Sequence, residues 1–223
     1  MTNMNVSEAV ATRRSIRAFL DKPVELSVLR DILDKARFAP SGCNFQPWEA
    51  TVLAGEPLRE LREKMRGVPP QDPKEYDFSA PEASPPHLAR LHKVGASMYT
   101  AMGITRDDKE SRNAFTNANV DSFGAPAVLL CYLPRFMKEA QWSDMGMWLQ
   151  TIMLLAREAG LDTCPQEFLS LYSKIIKEFI GVSDETHIFF CGIAFGYRDP
   201  DALVNQFERE RVPLDENIKF AGF

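Results

Sequence analysis

The chain has 223 residues, of which 45% are hydrophobic and 26% are charged, and its formal net charge is −5. That length is enough for one large domain or two small ones with a substantial core, and we expect a single domain over residues 1–223. The acidic balance disfavours a general nucleic-acid surface. No stretch reaches the ~20 apolar residues of a membrane span, and the first residues lack a signal-peptide pattern. We therefore expect a cytoplasmic protein that binds neither nucleic acid nor a membrane.

Helices are predicted wherever apolar residues recur at helical spacing. They cover residues 6–12, 26–36, 57–65, 88–102, 143–159 and 172–180. Ser27 or a near neighbour is expected to cap the second of these helices. Strands are predicted over residues 49–54, 127–133 and 188–195. Because helices outnumber strands and the two do not alternate strictly, the predicted fold class is α+β.

Four segments lie outside these elements. Residues 67–86 contain six prolines and are expected to form a long insertion, which in a compact domain is usually a lid or mobile. Residues 163–167 are predicted to be a loop, and the polar stretch 106–119 indicates no clear element. Residues 199–223 are mostly polar and form a C-terminal arm that is either disordered or wrapped around a partner subunit.

The sequence offers no side chain as a catalytic nucleophile or base. It contains no G-x-S-x-G elbow, no P-loop and no G-x-G-x-x-G fingerprint. Its histidines do not have metal-binding spacing, and its cysteines lie far apart with no C-x-x-C pair, so no metal site is predicted. A bound cofactor that carries the reaction is the interpretation that remains for an enzyme.

A row of cationic side chains lies near the N-terminus, from Arg13 to Arg17. If this row is extended, Arg13, Ser15 and Arg17 point to one side and the residues between them to the other. Guanidinium groups bind oxyanions in pairs, so the row suits a phosphate. The row alone favours equally a solvated basic end of a short helix, which the helix dipole stabilises.

The loop from Pro40 to Trp48 carries two amides, Asn44 and Gln46, that face one side if the backbone is extended. A side-chain amide both donates and accepts hydrogen bonds, which fits the alternating edge of a flavin's pyrimidine ring. Ser41 and Gly42 allow close backbone approach. The alternative is a turn stabilised by its own amides before a strand.

Together, these two stretches resemble the opening of the FMN-dependent nitroreductase family. The resemblance rests on Arg13-Arg14-Ser15-Ile16-Arg17 and on Pro40-Ser41-Gly42-x-Asn44-x-Gln46-Pro47-Trp48. It continues through Phe123-Gly124-Ala125-Pro126, Asp144-x-Gly146, Leu149-Gln150, Gly160-Leu161, Pro165-Gln166-Glu167 and Arg209-x-Arg211-x-Pro213. The last residues, from Arg211 to Phe223, resemble nitrobenzoate-reductase-like members of that family.

The resemblance implies a nitroreductase-like fold, with a central mixed β-sheet flanked by helices in an intertwined homodimer. It also implies an FMN site at the subunit interface. The FMN phosphate and ring edge would be held by Arg13, Arg14, Ser15 and Arg17, with Arg209 and Arg211 adding to the phosphate grip. The ring or ribityl hydroxyls would meet Asn44 and Gln46, and the partner subunit would contribute Pro40, Ser41 and Gly42. Beneath the ring would lie Pro165, Gln166 and Glu167.

The implied activity is the reduction of a small aromatic acceptor, a nitroaromatic or a quinone, by NADH or NADPH. Hydride would pass through flavin N5 in a ping-pong reaction, with Arg17 as the candidate positive charge near flavin N1. If the acceptor is an aromatic carboxylate, Arg112 or Lys109 is a candidate partner for it. The alternative is a flavin-binding protein of the same fold that works without nicotinamide, of the flavin-degrading or reductive dehalogenase type, with residues 67–86 as a lid.

Overall fold

The computed structural model describes residues 4–223 and shows helices packed on both faces of one sheet. The helices are α1 Val6–Thr12, α2 Leu26–Ala36, α3 Gly55–Arg66, α4 Pro85–Ala101, α5 Lys109–Asn117, α6 Glu139–Glu158, α7 Ser173–Phe179 and α8 Leu214–Asn217. The strands are β1 Glu49–Ala54, β2 Ala127–Pro134, β3 Asp162–Gln166 and β4 His187–Gly196. The α+β class is confirmed.

The strands form a sheet in the order β1-β2-β4-β3, and each neighbouring pair is antiparallel. Leu129 of β2 lies opposite Ile193 of β4, and Thr163 of β3 lies opposite Phe195. The parallel component expected of a mixed sheet is an isolated bridge between Ser15 and Thr163. This bridge joins the N-terminal arginine row to the edge of the sheet.

The two central strands are buried on both faces, which explains their unbroken apolar sequences. Alternate residues of β2 point to opposite sides because side chains alternate along a strand. Leu129 and Leu133 belong to the core cluster that contains Ile152 of α6, whereas Leu130 belongs to the cluster that contains Leu61 of α3. Helices α2 and α6 therefore cover one face, and α3 and α7 the other.

Residues 163–167 differ from the prediction, because most of them belong to a strand and not to a loop. Strand β3 pairs from Asp162 to Gln166 with β4. Pro165 hid this strand from sequence reasoning, but proline is tolerated where an edge strand needs no N–H donor. The expected cap is also wrong: α2 begins after Glu25, which makes no side-chain cap bond, and Ser27 lies inside the helix.

The proline-rich insertion is fixed to the core at its middle and is not a free flap. Glu75 accepts a hydrogen bond from the buried ammonium of Lys177 at 2.8 Å and from the Ser173 hydroxyl at 2.6 Å. Tyr76 packs edge-on against Trp142 at 5.2 Å between ring centroids. Burial of its phenol raises the pKa of Tyr76 above its usual range. The insertion was expected to be a lid or mobile, but at Glu75 and Tyr76 it is bound to the core. We call residues 67–86 the strap.

The C-terminal arm contacts its own chain at several points. Asn205 accepts a hydrogen bond from the Arg17 backbone N–H at 2.9 Å and donates one to the Ala18 carbonyl, also at 2.9 Å. Ion pairs from Lys93 to Glu210 and from Arg90 to Glu216 connect the arm to α4. These contacts hold the arm on its own chain between Asn205 and Glu216.

A glycine on β4 sets how closely the N-terminal segment approaches the sheet. A Cβ added to Gly196 would lie 2.7 Å from the ring of Phe19 and 2.8 Å from Pro126. Real Cβ atoms essentially never make such short contacts, so a side chain here displaces Phe19. The segment that carries the arginine row can therefore pack closely on β4 because Gly196 has no side chain.

Candidate functional site

The arginine row is an extended segment, and its residues alternate as predicted. The backbone N–H of Ile16 donates to the Thr163 carbonyl at 3.0 Å, and the Ile16 side chain is fully buried. Arg14 turns away from the sheet edge and lies over the ring of Phe207, 5.2 Å from its centroid. Arg13 and Arg17 both lie close enough to Cys164 to oppose the rise in its pKa.

The carboxylate near the row, Asp162, is paired with Arg157 and Arg198 and not with Arg13 or Arg17. Among residues 4–223, no ion pair involves Arg13, Arg17, Arg209 or Arg211. Burial lowers the pKa of Arg13, and repulsion from Arg209 and Arg211 lowers it further. Burial raises the pKa of Cys164 to about 11, so this thiol stays neutral at pH 7 and supplies no counter-charge. The arrangement is that of an anion site.

The predicted phosphate ligands divide into two groups. Arg14 and Arg209 donate to backbone carbonyls: Arg14 to that of Phe207, and Arg209 to that of Ala11 at 2.9 Å and to that of Arg13. They tie the C-terminal arm to the row, while Arg211 donates to the neighbouring Glu210 carbonyl. Within the described part of the chain, no protein group accepts a hydrogen bond from the side chains of Arg13, Ser15 or Arg17. These three side chains remain available to an anion.

Beside the row, the end of β3 presents an unused buried acceptor. Gln166 is 2% exposed, and its Nε2 donates to the backbone carbonyl of Asn119 at 3.0 Å and to its side-chain oxygen at 3.1 Å. Gln166 Oε1 is buried without a hydrogen-bond partner. Pro165 and Glu167, on either side, are exposed. Sequence reasoning missed Asn119, because nothing in its polar surroundings marks it as a contact of Gln166.

The loop after α2 is a tight turn and does not have the extended backbone that was expected. Cys43, Asn44 and Gln46 have positive φ angles of 49°, 58° and 47°. Gln46 donates from its side chain to the Asn44 carbonyl at 3.1 Å and from its backbone to Ser41 Oγ at 3.0 Å. The alternative expectation, a turn stabilised by its own amides, is therefore correct for Gln46. Left-handed backbone costs about 1–2 kcal/mol per non-glycine residue, so this turn is strained.

A long helix separates this turn from the arginine row within one chain. The backbone N–H of Gly42 donates to Asp144 of α6 at 3.1 Å, near the start of that helix. Near its end, Arg157 donates to Thr12 at 3.3 Å, next to the row. The rise of an α-helix places these two anchor points about 20 Å apart. The structure therefore does not bring Pro40, Ser41, Gly42, Asn44 and Gln46 together with Arg13–Arg17.

Two clefts in the described part of the chain lie elsewhere. One, of about 430 Å³, is lined by residues of α3, α5 and Tyr172, and the other, of about 270 Å³, lies between Val68 and α7. Neither is lined by a predicted cofactor residue.

No group of three or more His, Cys, Asp or Glu side chains is placed to hold a metal ion among residues 4–223. None of the helices in this range combines the length and apolar character needed to cross a membrane.

The architecture and the anion site together define the class of the protein. The nitroreductase family model matches residues 10–197. The chain belongs to the nitroreductase family.

Individual relatives match almost the whole chain. The 4-nitrobenzoate reductase of Pseudomonas putida is 36% identical over 216 residues, which cover 96% of this chain and 94% of the relative. The FMN and NADPH-dependent nitroreductase NfnB from Sphigopyxis sp. strain HMH superposes with a TM-score of 0.94 at 42% identity, covering 99% and 100% of the two chains. NfnB from Mycobacterium smegmatis, solved in complex with NADPH, superposes with a TM-score of 0.88 at 28% identity, covering 98% and 100%.

Proposed function

We propose that this chain binds FMN and is an NAD(P)H-dependent oxidoreductase that reduces nitroaromatic compounds. The observation that carries the proposal is the cationic group around Arg13 and Arg17, which has no counter-anion, beside the unpartnered Gln166 Oε1. The names of the relatives support the same cofactor, and they support nitroaromatic acceptors. Quinones are further candidate acceptors.

The available side chains fit a phosphate ester joined to a heteroaromatic ring. Arg13 and Ser15 offer donors to phosphate oxygens, and the charge of a phosphate offsets the repulsion that lowers the pKa of Arg13. Gln166 Oε1 offers an acceptor to a ring N–H, and the exposed Pro165 and Glu167 leave room for the ring. Arg14 and Arg209 hold the row and the C-terminal arm in place behind these contacts.

FMN, when bound, supplies two-electron chemistry: a hydride from NAD(P)H and one proton reduce a nitro group to a nitroso group with loss of water. The role of the chain's own residues is to bind the cofactor and to orient it. Arg13 and Ser15 would hold the phosphate, and Arg17 would stabilise the negative charge of the reduced cofactor. No side chain is required as a base, as the sequence led us to expect.

A second copy of the chain completes the site in this proposal. The strained turn at Ser41–Gln46 lies about 20 Å along α6 from the arginine row of its own chain, so a partner that packs along α6 can bring its turn to that row. Phe38 and Phe45, next to the turn, are 75% and 55% exposed. Large exposed apolar side chains that cluster in this way are typical of an interface. The proposed homodimer therefore has two shared sites.

The cofactor is tested with purified protein. We expect the absorbance of oxidised flavin, bleaching by NADH or NADPH in the absence of oxygen, and recovery of colour on addition of a nitroaromatic. A preparation that stays colourless after incubation with FMN contradicts the proposal. A protein that holds FMN tightly but consumes neither nicotinamide belongs to the alternative class without nicotinamide. No contact favours that class, because the insertion expected to be its lid is fixed by Glu75.

The shared site is tested by mixing two defective chains. An Arg17→Ala chain lacks part of the row, and an Asn44→Ala, Gln46→Ala chain lacks the amides of the turn. Co-expressed chains form heterodimers in which one of the two sites draws both halves from intact sequence, so we expect part of the activity to return. If the mixture is no more active than the separate variants, each site lies within one chain.

We also propose that the protein is cytoplasmic, and cell fractionation tests this location.

A further inference from the structure

A row of aromatic side chains leads away from the proposed cofactor site. Phe123 lies in the cluster that contains Cys164, the residue before Pro165 on β3. The ring of Phe115 lies 5.8 Å from that of Phe123, and the ring of Tyr99 lies 6.0 Å beyond it, edge-on. Phe115 and Tyr99 are only half-buried. The exposed parts of Phe115 and Tyr99, set edge to face, offer apolar contact to an aromatic molecule.

A cation ends this row. The guanidinium of Arg112 lies over the ring of Tyr99, 4.1 Å from its centroid, which fixes its position by a cation–π contact. No ion pair involves Arg112 in the part of the chain that the structure describes. The nearest acidic neighbour on its helix face, Asp108, caps α5 by accepting from the Ser111 N–H at 3.0 Å. Arg112 is thus ordered, half-buried and not neutralised.

The helix that carries Arg112 ends at the proposed cofactor site. Asn119, which binds Gln166, lies two residues beyond the last residue of α5, Asn117. Arg112 lies five residues before Asn117, or about 8 Å along the helix axis. This length is similar to that of a benzene ring with substituents at opposite ends. An acceptor whose nitro group lies at the C-terminal end of α5 therefore has its opposite substituent within reach of Arg112.

We propose that Arg112 is a specificity-determining residue that binds the carboxylate of an aromatic acceptor, of the nitrobenzoate class, while Tyr99 and Phe115 flank the ring. This inference rests on the proposed function. Guanidinium binds a carboxylate through two parallel hydrogen bonds, and its stack on Tyr99 holds it ready for that geometry. Lys109, the other candidate from the sequence, is exposed at the start of α5 and lacks such a support.

The test compares two acceptors that differ in charge alone, 4-nitrobenzoate and its neutral methyl ester, on the FMN-loaded enzyme. In Arg112→Gln we expect kcat/KM for 4-nitrobenzoate to fall by about 10- to 100-fold, mainly through KM, because a charge-assisted pair is lost. The ester is expected to change by less than about twofold. Arg112→Lys restores part of the loss, and the matched control Lys109→Gln leaves both acceptors unchanged.

Equal losses for the two acceptors, or an unchanged 4-nitrobenzoate reaction, overturn the assignment. A binding measurement separates this result from a failure of the proposed function. Calorimetric titration with benzoate and with neutral benzamide requires no turnover. If wild-type protein prefers benzoate and Arg112→Gln loses that preference, the carboxylate site stands even where no nitro reduction is detected. If the two proteins bind benzoate equally, the assignment is wrong.

Discussion

Two regions of the molecule each contain several positive charges, and they differ in whether carboxylates of the chain neutralise those charges. Under the strap, the fully buried Lys177 is paired with Glu75 and Asp184, and Arg135 binds the same two carboxylates. In the arginine row, no ion pair within residues 4–223 neutralises Arg13 or Arg17. Lys177 is matched by carboxylates within the chain, whereas Arg13 and Arg17 have neither an ion-pair partner nor a side-chain hydrogen bond within residues 4–223, which favours a ligand.

The cost of the two arrangements differs accordingly. A buried ammonium is tolerated only when it is paired and hydrogen-bonded, and Glu75 supplies both. Arg13 and Arg17 are only half-buried, so they lose only part of their hydration. The repulsion between Arg13 and the nearby arginines lowers the stability of the FMN-free protein. A bound anion removes that repulsion. The following predictions test this difference, from the largest expected effect to the smallest.

The largest effect is expected at Glu75. Glu75→Gln leaves Lys177 buried with one carboxylate, the half-exposed Asp184, beside the His187 carbonyl, and should lower the free energy of unfolding by about 3–5 kcal/mol. Urea unfolding of the FMN-free protein measures this change. Glu178→Gln, on the exposed side of α7, is the matched control and should stay within about 0.5 kcal/mol of wild type.

The double variant Glu75→Gln, Lys177→Met sharpens the result. Removing both charges should recover much of the loss, because the apolar side chain needs no partner. If Glu75→Gln alone is as stable as wild type, the strap is not held by this ion pair, and the contrast between the two regions is wrong.

The second effect concerns the row. Arg17→Ala should weaken FMN binding by about 10- to 100-fold through loss of a charge-assisted contact, measured as the Kd from flavin fluorescence quenching. The unfolding free energy of the FMN-free variant should not fall, because the removed charge stabilises nothing within the chain. Arg30→Ala, exposed on α2, is the control for general charge. An unchanged Kd would remove Arg17 from the site.

The smallest effect is expected at Asp184. The hydrogen bond from Lys177 lowers the pKa of this carboxyl. Its contribution to stability is therefore present above the unfolded pKa of about 3.9 and is lost as pH falls through the lower folded value. Because Asp184 is 54% exposed, the contribution at neutral pH is about 1 kcal/mol or less.

Unfolding curves of wild type and Asp184→Asn over a pH series measure this contribution. We expect the difference between them to be largest near neutral pH and to vanish in acid. A difference that persists at the acid end would mean that the Asp184 charge does not stabilise the folded state.

The sequence predicted those features that depend on local pattern. The apolar runs at 127–133 and 188–195 locate β2 and β4 within one residue at most ends, since buried central strands carry little else. The alternation of Arg13, Ser15 and Arg17 followed from an extended backbone, and the buried Ile16 agrees with it. The family was evident from the residues of the two N-terminal motifs.

What escaped prediction depends on contacts between distant residues. Glu75 looks like one acidic residue in a proline-rich loop, and nothing local reveals that Lys177, a hundred residues on, is buried against it. The left-handed backbone of Cys43 and Gln46 is imposed by the anchor from Gly42 to Asp144, so local preference gave the wrong, extended turn. The bond from Gln166 to Asn119 likewise joins segments that carry no shared signal.

The segment that carries the proposed cofactor site depends on Gly196 of β4, a residue outside that site. Phe19 occupies the space where a Cβ would stand, two residues after Arg17. A methyl group added to Gly196 fits only if the Phe19 ring or Pro126 moves. Through Phe19, the proposed phosphate site is therefore coupled to a single hydrogen atom of the sheet beneath it.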